Sequence, residues 1–392
     1  MSTAITKIPT REEIVARAKA LAPKLRARSA EAEKLRRVPD ETIADLKDSQ
    51  LARICQPSRY GGFDHSWDVL CESSMELANG CGSQAWVAGV YGEHACLVGH
   101  FPDDAQRDVW GKNDSALISS AYFPAGKVGR VDGGYVLDGQ WHFSSGVHHA
   151  DWTVVGGLVH GKSGPPEMVF FLVPAAERHL VDDWRTLGMA GTGSCSFDLK
   201  KCFVPEHRTC TAKSIADGTA PGAEVNIAPV FRLPIIGYAH TQLCSVLVGT
   251  AEGLVTEFGE FLRTRHKSGA PMPTLENLQT RLTEASAEVR AARLLLLVGA
   301  RSFMSRLEAG HTLGEGDATP VERDGCYAAV LAKRATNRVF EATGAHSMFE
   351  GNRMQRIYRD VVTAGSHIAL NWDKAAIDYG RRAMGLPVQS LF

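Results

Sequence analysis

The feature that most constrains this chain is a change of hydrophobic period, made twice. From Arg11 to about Gly111 apolar residues recur at helical spacing, as in Ile14, Ala18, Leu21 and Leu25. Pro39-Asp40 supplies a helix start within this stretch and Gly61-Gly62 a turn. Around Leu117 the period becomes that of strands and stays so to about Cys210. Val131 to Trp141 carries two glycine turn signals between alternating residues, and Trp152–Val159, Met168–Val173 and Ser196–Val204 are further β-rich runs. After a polar link near 213–224 helical spacing returns. Leu282, Ala285, Val289, Ala292, Leu296 and Ala300 share one stripe, and a second stripe runs over 321–343. The order predicts an α+β chain, mostly α, with an N-terminal helical domain over 1–115. A central β-barrel or sandwich domain over 116–212 and a C-terminal four-helix bundle over 213–392 follow.

Composition narrows the class. Hydrophobic residues make up 44% of the 392 and charged residues 22%, which excludes a disordered chain. The 43 basic side chains nearly cancel the 44 acidic ones, so no global field draws in nucleic acid or an anionic membrane. Nine scattered cysteines without a C-x-x-C read as reduced thiols, and no apolar leader opens the chain. The expectation is a cytoplasmic protein with no nucleic-acid or membrane partner. The apolar stretch Leu233 to Val255 contains Pro234, His240 and Gln242, which suits a buried helix better than a membrane span.

Several motifs are decoys. Gly156-Gly-Leu-Val-His-Gly161-Lys162-Ser163 fits the phosphate-loop pattern, but Gly164-Pro165-Pro166 and a strand follow where a helix is required. No histidine or cysteine spacing suits a metal, and His148-His149 would face opposite ways on a strand. No G-x-S-x-G elbow occurs. Histidine and small polar residues do gather at the segment junctions: His94, Ser119-Ser120, Ser144-Ser145 and His367. A lone histidine is more often structural than functional, and composition alone does not raise these above that reading.

Longer motifs do. The run Asp138-Gly-Gln-Trp-His-Phe143-Ser-Ser145-Gly, continuing through Ala150 to Trp152, resembles the flavin segment of the acyl-CoA dehydrogenase fold family. Leu187 to Ser194 and Phe203-Val-Pro205 resemble its later β-domain signature. The resemblance places Phe143 beside the isoalloxazine and Ser145 at flavin N5. Two departures separate the chain from the dehydrogenases. Counting from Arg359-Asp360, Ile368 stands where the family's catalytic glutamate belongs, and Arg232 to Ala251 contains no acid at all; base chemistry next to a thioester lacks its base at both usual positions. Glu341-Ala-Thr-Gly344-Ala345 replaces the family's Q-I-F-G-G, and a carboxylate beside a pyrophosphate disfavours tightly resident FAD.

Both departures suit the oxygenase components of two-component flavin-dependent monooxygenases, a branch of the same fold. The chain is especially similar to those acting on secosteroid phenols and, more distantly, on p-hydroxyphenylacetate. Cys81-Gly-Ser83, Trp86, His94, Ile118-Ser-Ser120-Ala-Tyr122, Ala228-Pro-Val and a histidine after Arg359-Asp360 carry the likeness. It implies reduced flavin, FMNH2 or FADH2, delivered in trans by an NAD(P)H-dependent reductase. It also implies O2 as co-substrate, a C4a-hydroperoxyflavin that hydroxylates a phenolic or indolic substrate, no metal, and a homotetramer. His94, Ser120, Ser145 and His367 would be catalytic. Phe143, Ser145, Ser120 and Arg232 would hold the flavin, Arg232 being alternatively a subunit-interface cation. Trp86, His94, Tyr122 and His367 would line the substrate pocket, with His94 exchanging a proton near its ordinary pKa. The rivals are an acyl-CoA dehydrogenase with a relocated base, N- or S-oxygenation by the same flavin, and a bundle that binds a ligand without turnover.

Overall fold

The computed structural model describes residues 8–388 apart from 162, 163 and 268. Helices come first: α1 (Arg11–Ala27), α2 (Ser29–Leu35), α3 (Asp40–Ser49), α4 (Trp67–Ala78), α5 (Gly82–Val98) and α6 (Asp103–Trp110). Thr10 caps α1 in a capping box with Glu13, and Ile14, Ala18, Leu21 and Leu25 form its buried stripe. Pro39 sits at the N-cap of α3.

Eight strands follow: β1 (Ile118–Ala121), β2 (Lys127–Val131), β3 (Gly134–Trp141), β4 (Trp152–Val159), β5 (Glu167–Pro174), β6 (His179–Val181), β7 (Ser196–Pro205) and β8 (Thr209–Thr211). They form two four-stranded sheets, ordered β1-β4-β5-β8 and β2-β3-β7-β6. Between the sheets lies an apolar layer that includes Tyr135, Leu137, Trp141, Val155, Phe171 and Phe197. Pairing is antiparallel except for β1 with β4, which is parallel and aligns Ala121 with Val155. The next residue pair, Tyr122 and Gly156, comes so close that a Cβ on Gly156 would lie 1.9 Å from the Tyr122 carbonyl oxygen. That approach accounts for the first glycine of the phosphate-loop pattern. Gly156 lies inside β4, with β5 as its hairpin partner, while Lys162 and Ser163 fall outside the described residues.

Helices then return as α7 (Ala212–Ala216), α8 (Ile235–Tyr238), α9 (His240–Arg263), α10 (Glu276–Glu308), α11 (Glu315–Phe340), α12 (Arg353–Ala364) and α13 (Trp372–Ala383). Helix α9 is buried along most of its length and packs against α4, α5, α10 and α11, so one core joins the first and last helical segments. All nine cysteines are buried free thiols. Among the described residues no helix is long and apolar enough to cross a membrane.

Candidate active site

Helix α5 supplies one wall of the site. Every one of its residues is buried, as its all-round apolar sequence requires. Trp86, Val90, Glu93 and His94 fall at i, i+4, i+7 and i+8 and therefore share one side.

Two hydrogen bonds define the state of His94. Its Nδ1 lies 2.7 Å from the Ile118 carbonyl oxygen, which only accepts, so Nδ1 carries the hydrogen. Nε2 is then an acceptor, and the Ser120 hydroxyl donates to it over 2.8 Å. Burial pushes the imidazole down to about 4, against the opposing pull of the Ile118 bond. His94 is therefore neutral at neutral pH, which corrects the expectation that it trades a proton near its ordinary value; the cause is loss of solvation within α5's packing. The Tyr122 ring meets His94 edge-on with centroids 5.6 Å apart, and Phe170 at the same separation.

A second group forms around Ser145. Trp86 Nε1 donates to Ser145 Oγ at 3.2 Å, and the Trp86 and His367 ring centroids are 5.7 Å apart. Ser145 Oγ lies 2.7 Å from Ser194 Oγ, and Ser194 Oγ 2.7 Å from Thr192 Oγ1. Thr192 gives its hydrogen to the Met189 carbonyl at 2.8 Å, which orients the whole chain: Ser194 donates to Thr192, and Ser145 to Ser194. Ser145 is left able to accept but not to donate. His367 Nδ1 accepts from the Ala369 amide at 3.2 Å, so its neutral ring presents Nε2–H. The surrounding protein lowers the basicity of His367 even though the residue reaches the surface.

Charged side chains seat the backbone that carries these groups. Arg178 donates to the Val147 and Ala150 carbonyls and to Ser119 and Thr153 hydroxyls, tying the loop after β3 to the sheet. Burial lowers its guanidinium to about 10, so it stays charged at neutral pH. Asp360 accepts from the Met189 amide at 2.5 Å and Arg359 donates to the Leu187 carbonyl at 2.6 Å. The Arg-Asp pair of α12 thus holds the loop on which the hydroxyl chain ends.

Other residues singled out from sequence lie elsewhere. Arg232 is exposed and donates to the Leu307 carbonyl at the end of α10; within this chain it joins neither group. Glu341 is paired with Arg281 at 3.2 Å, so it is not the free carboxylate that the argument against resident FAD assumed. His148 and His149 sit in turns rather than on a strand, and they diverge, His148 toward Cys195 and His149 toward the Val38 carbonyl. Ile368, at the dehydrogenase base position, is 73% exposed. Among the described residues no three metal-capable side chains converge.

Residues 241–372 match the family described as Acyl-CoA dehydrogenase, C-terminal domain. The chain is 33% identical to the oxygenase subunit HsaA of a flavin-dependent monooxygenase from Rhodococcus jostii (strain RHA1), over 94% of this chain and 97% of that one. It is 32% identical to the oxygenase component of the FADH2-dependent resorcinol hydroxylase from Rhizobium sp. (strain MTP-10005), over 95% and 94% of the two chains. The crystal structure of the HsaA monooxygenase from M. tuberculosis superposes with a TM-score of 0.93 at 32% identity, covering 97% of this chain and 99% of that one. The chain belongs to the flavin-dependent monooxygenase oxygenase components, on the acyl-CoA dehydrogenase fold.

A monooxygenase of this kind must seat a planar ring with one polar edge, and the residues present fit. Phe143 holds a left-handed backbone at φ 61 with its side chain 74% exposed, a strained placement that keeps an aromatic face uncovered. Trp184 stands edge-on to it at 6.2 Å. Beside them are the acceptor on Ser145 and a buried Ser144 hydroxyl with no partner. Sequence reasoning missed Glu93, Arg178, Thr192 and Trp184. Glu93 did leave a signal, being the only charged side chain in the Gly82–Val98 run.

Proposed function

We propose that this monooxygenase takes FMNH2 or FADH2 from a separate NAD(P)H-dependent reductase and, with O2, hydroxylates a small phenolic or indolic substrate. The observation that carries the reading is the oriented hydroxyl chain at Ser145. A lone acceptor suits the N5–H that reduced flavin has and oxidised flavin lacks.

When bound, the reduced flavin supplies the electrons that activate O2. The protein's share is positioning and exclusion of water. Phe143 would offer its exposed face to the ring, and Ser145 would accept from the N5 edge and shield that hydrogen from solvent. His367 would present Nε2–H toward the reacting oxygen. Ser120, its own hydrogen committed to His94, accepts from the substrate hydroxyl, and His94 acts as the fixed neutral acceptor that orients Ser120. Trp86, Val90 and Tyr122 form the apolar walls suited to an aromatic ring. The exposed Ile368 offers no carboxylate for α-proton abstraction, which weighs against a dehydrogenase. Cytoplasmic location is consistent with nine free buried thiols. In the homotetramer of this reading, Leu294 and Val298, one turn apart on α10 and 51% and 61% exposed, would give subunits an apolar surface on which to meet.

The test combines the purified chain, a flavin reductase, NADH and a panel of phenols and indole, read by mass spectrometry. Product one oxygen heavier than its substrate is expected, and absence of any oxygenated product would sink the reading.

A further inference from the structure

Between α11 and the link from α12 to α13 lies a cavity of about 540 Å³, a size that suits a small molecule. Its α11 wall is made by Val330, Lys333, Arg334 and Asn337, which fall at i, i+3, i+4 and i+7 and so share one side of the helix. The opposite wall runs from Gly365 past His367 to Asp373. His367 is also the ring neighbour of Trp86, whose indole donates to Ser145. The cavity therefore begins where the proposed flavin and substrate site ends, and the mechanism above makes no use of it.

The α11 wall carries a spare positive charge. Arg334 donates to Glu288 at 2.6 Å and Arg338 donates to the same oxygen at 2.9 Å, so both guanidinium groups are already engaged. Lys333 donates only to the Gly365 carbonyl, over a long 3.4 Å, and among the described residues no carboxylate pairs with it. An ammonium has three hydrogens to give, so two are left. The lysine is also closely seated. Its stem crosses Gly365 so tightly that a Cβ there would lie 2.7 Å from Lys333 Cδ and 2.9 Å from the Val361 carbonyl oxygen.

The rest of the lining adds neutral donors. His367 accepts from the Ala369 amide on Nδ1 and keeps Nε2–H. Asn371 caps α13 by accepting from the Lys374 amide at 3.2 Å, which leaves the Trp372 and Asp373 amides as free donors at the positive end of the helix. Asp373 is the carboxylate on this lining; it is exposed to water and forms no ion pair with Lys333. An ammonium with hydrogens to spare, set among neutral donors, is complementary to anionic oxygen.

We propose that this cavity is an anion subsite, with Lys333 as its cation, holding the charged tail of the molecule whose ring lies at His367. The chemistry is an oxyanion on a short arm, either the phosphate of reduced flavin or the carboxylate of an acidic aromatic substrate. The inference deepens the monooxygenase reading and rests on it for a ring beside His367. The phosphate is the better match, because its three oxygens can take up Lys333, Asn337 and the α13 amides together.

The test reads binding on the full chain, without turnover. In anaerobic titrations wild type should bind reduced FMN about tenfold or more tighter than reduced riboflavin, which lacks the phosphate. Lys333→Gln should close that gap and Lys333→Arg should keep it, with riboflavin binding alike in all three. Added inorganic phosphate should weaken the binding of reduced FMN to wild type and leave that of riboflavin alone. A second pair of titrations compares phenol with 4-hydroxybenzoate. If Lys333→Gln weakens only the carboxylated ligand and leaves FMN unaffected, the subsite stands and its occupant is the substrate's carboxylate. If Lys333→Gln shifts neither pair, the subsite is overturned. A chain that gives the expected titrations but oxygenates no phenol or indole overturns the hydroxylase reading and leaves the anion subsite in place.

Discussion

Because Thr192 gives its hydrogen to the Met189 carbonyl, each hydroxyl behind it is oriented in turn, and the direction of one bond decides what Ser145 can recognise. Ser145→Ala removes that acceptor and leaves Trp86 Nε1 unpaired. A lost buried hydrogen bond of about 1 to 1.5 kcal/mol corresponds to roughly a tenfold loss. We expect about that loss in affinity for reduced flavin, with little change for oxidised flavin, measured by anaerobic and aerobic equilibrium titration. His94 gives a second prediction at this scale. Its folded value of about 4 lies below the ordinary imidazole value, so the stability it contributes is whole above about pH 6.5 and is lost as pH falls toward about 4. Urea midpoints should show wild type losing about 3 kcal/mol more across that window than His94→Gln. Ser145 and His94 were legible because longer motifs carried them. Glu93 was not, since an acid on a helix is ordinarily solvated and no spacing rule flags one that is buried beside a histidine. Arg232 shows the limit of such motifs: within this chain it meets the Leu307 carbonyl at the end of α10, a common use of a basic side chain, and its two expected roles, at the flavin or between subunits, both lie beyond one chain.

At the scale of elements, the strands announced themselves where they were long. The alternation in β3 and β7 and the apolar runs of β4 and β5 reflect two sheets each burying one face. The three-residue β6 and β8 were illegible because so few residues cannot establish a period. Helix α5 is a different case: with no solvent face it has no amphipathic signature, and only its composition marks it. The parallel β1–β4 pair was equally hidden, since register between distant strands leaves no local trace. Gly156 is its one readable consequence. Gly156→Ala would drive a methyl group into the Tyr122 carbonyl, and we expect a loss of about 1–3 kcal/mol in denaturant unfolding together with impaired hydroxylation, because Tyr122 is displaced. Wild-type stability in that variant would show that the strands part without cost.

For the whole molecule, the sequence conveyed the succession of helical, β and helical segments but not how they close on one another; that depends on α9 reaching both helical segments. The exposed Leu294 and Val298 look outward from that bundle. Val298→Lys should lower the mass seen by light scattering if subunits meet on this face, while the hydroxyl chain at Ser145 stays intact. The two sides of the proposed flavin site also differ in how they are fastened. Arg178 ties the loop bearing Ser145 to the sheet by four bonds, whereas on the other side Ser366, His367 and Ile368 are exposed. Amide hydrogen exchange should therefore be slow at 146–147 and faster at 367–369. In terms of traffic, the proposed site has one wall fastened to the sheet and one at the surface, so reduced flavin and product would come and go past His367 while the Ser145 side keeps its alignment from one turnover to the next.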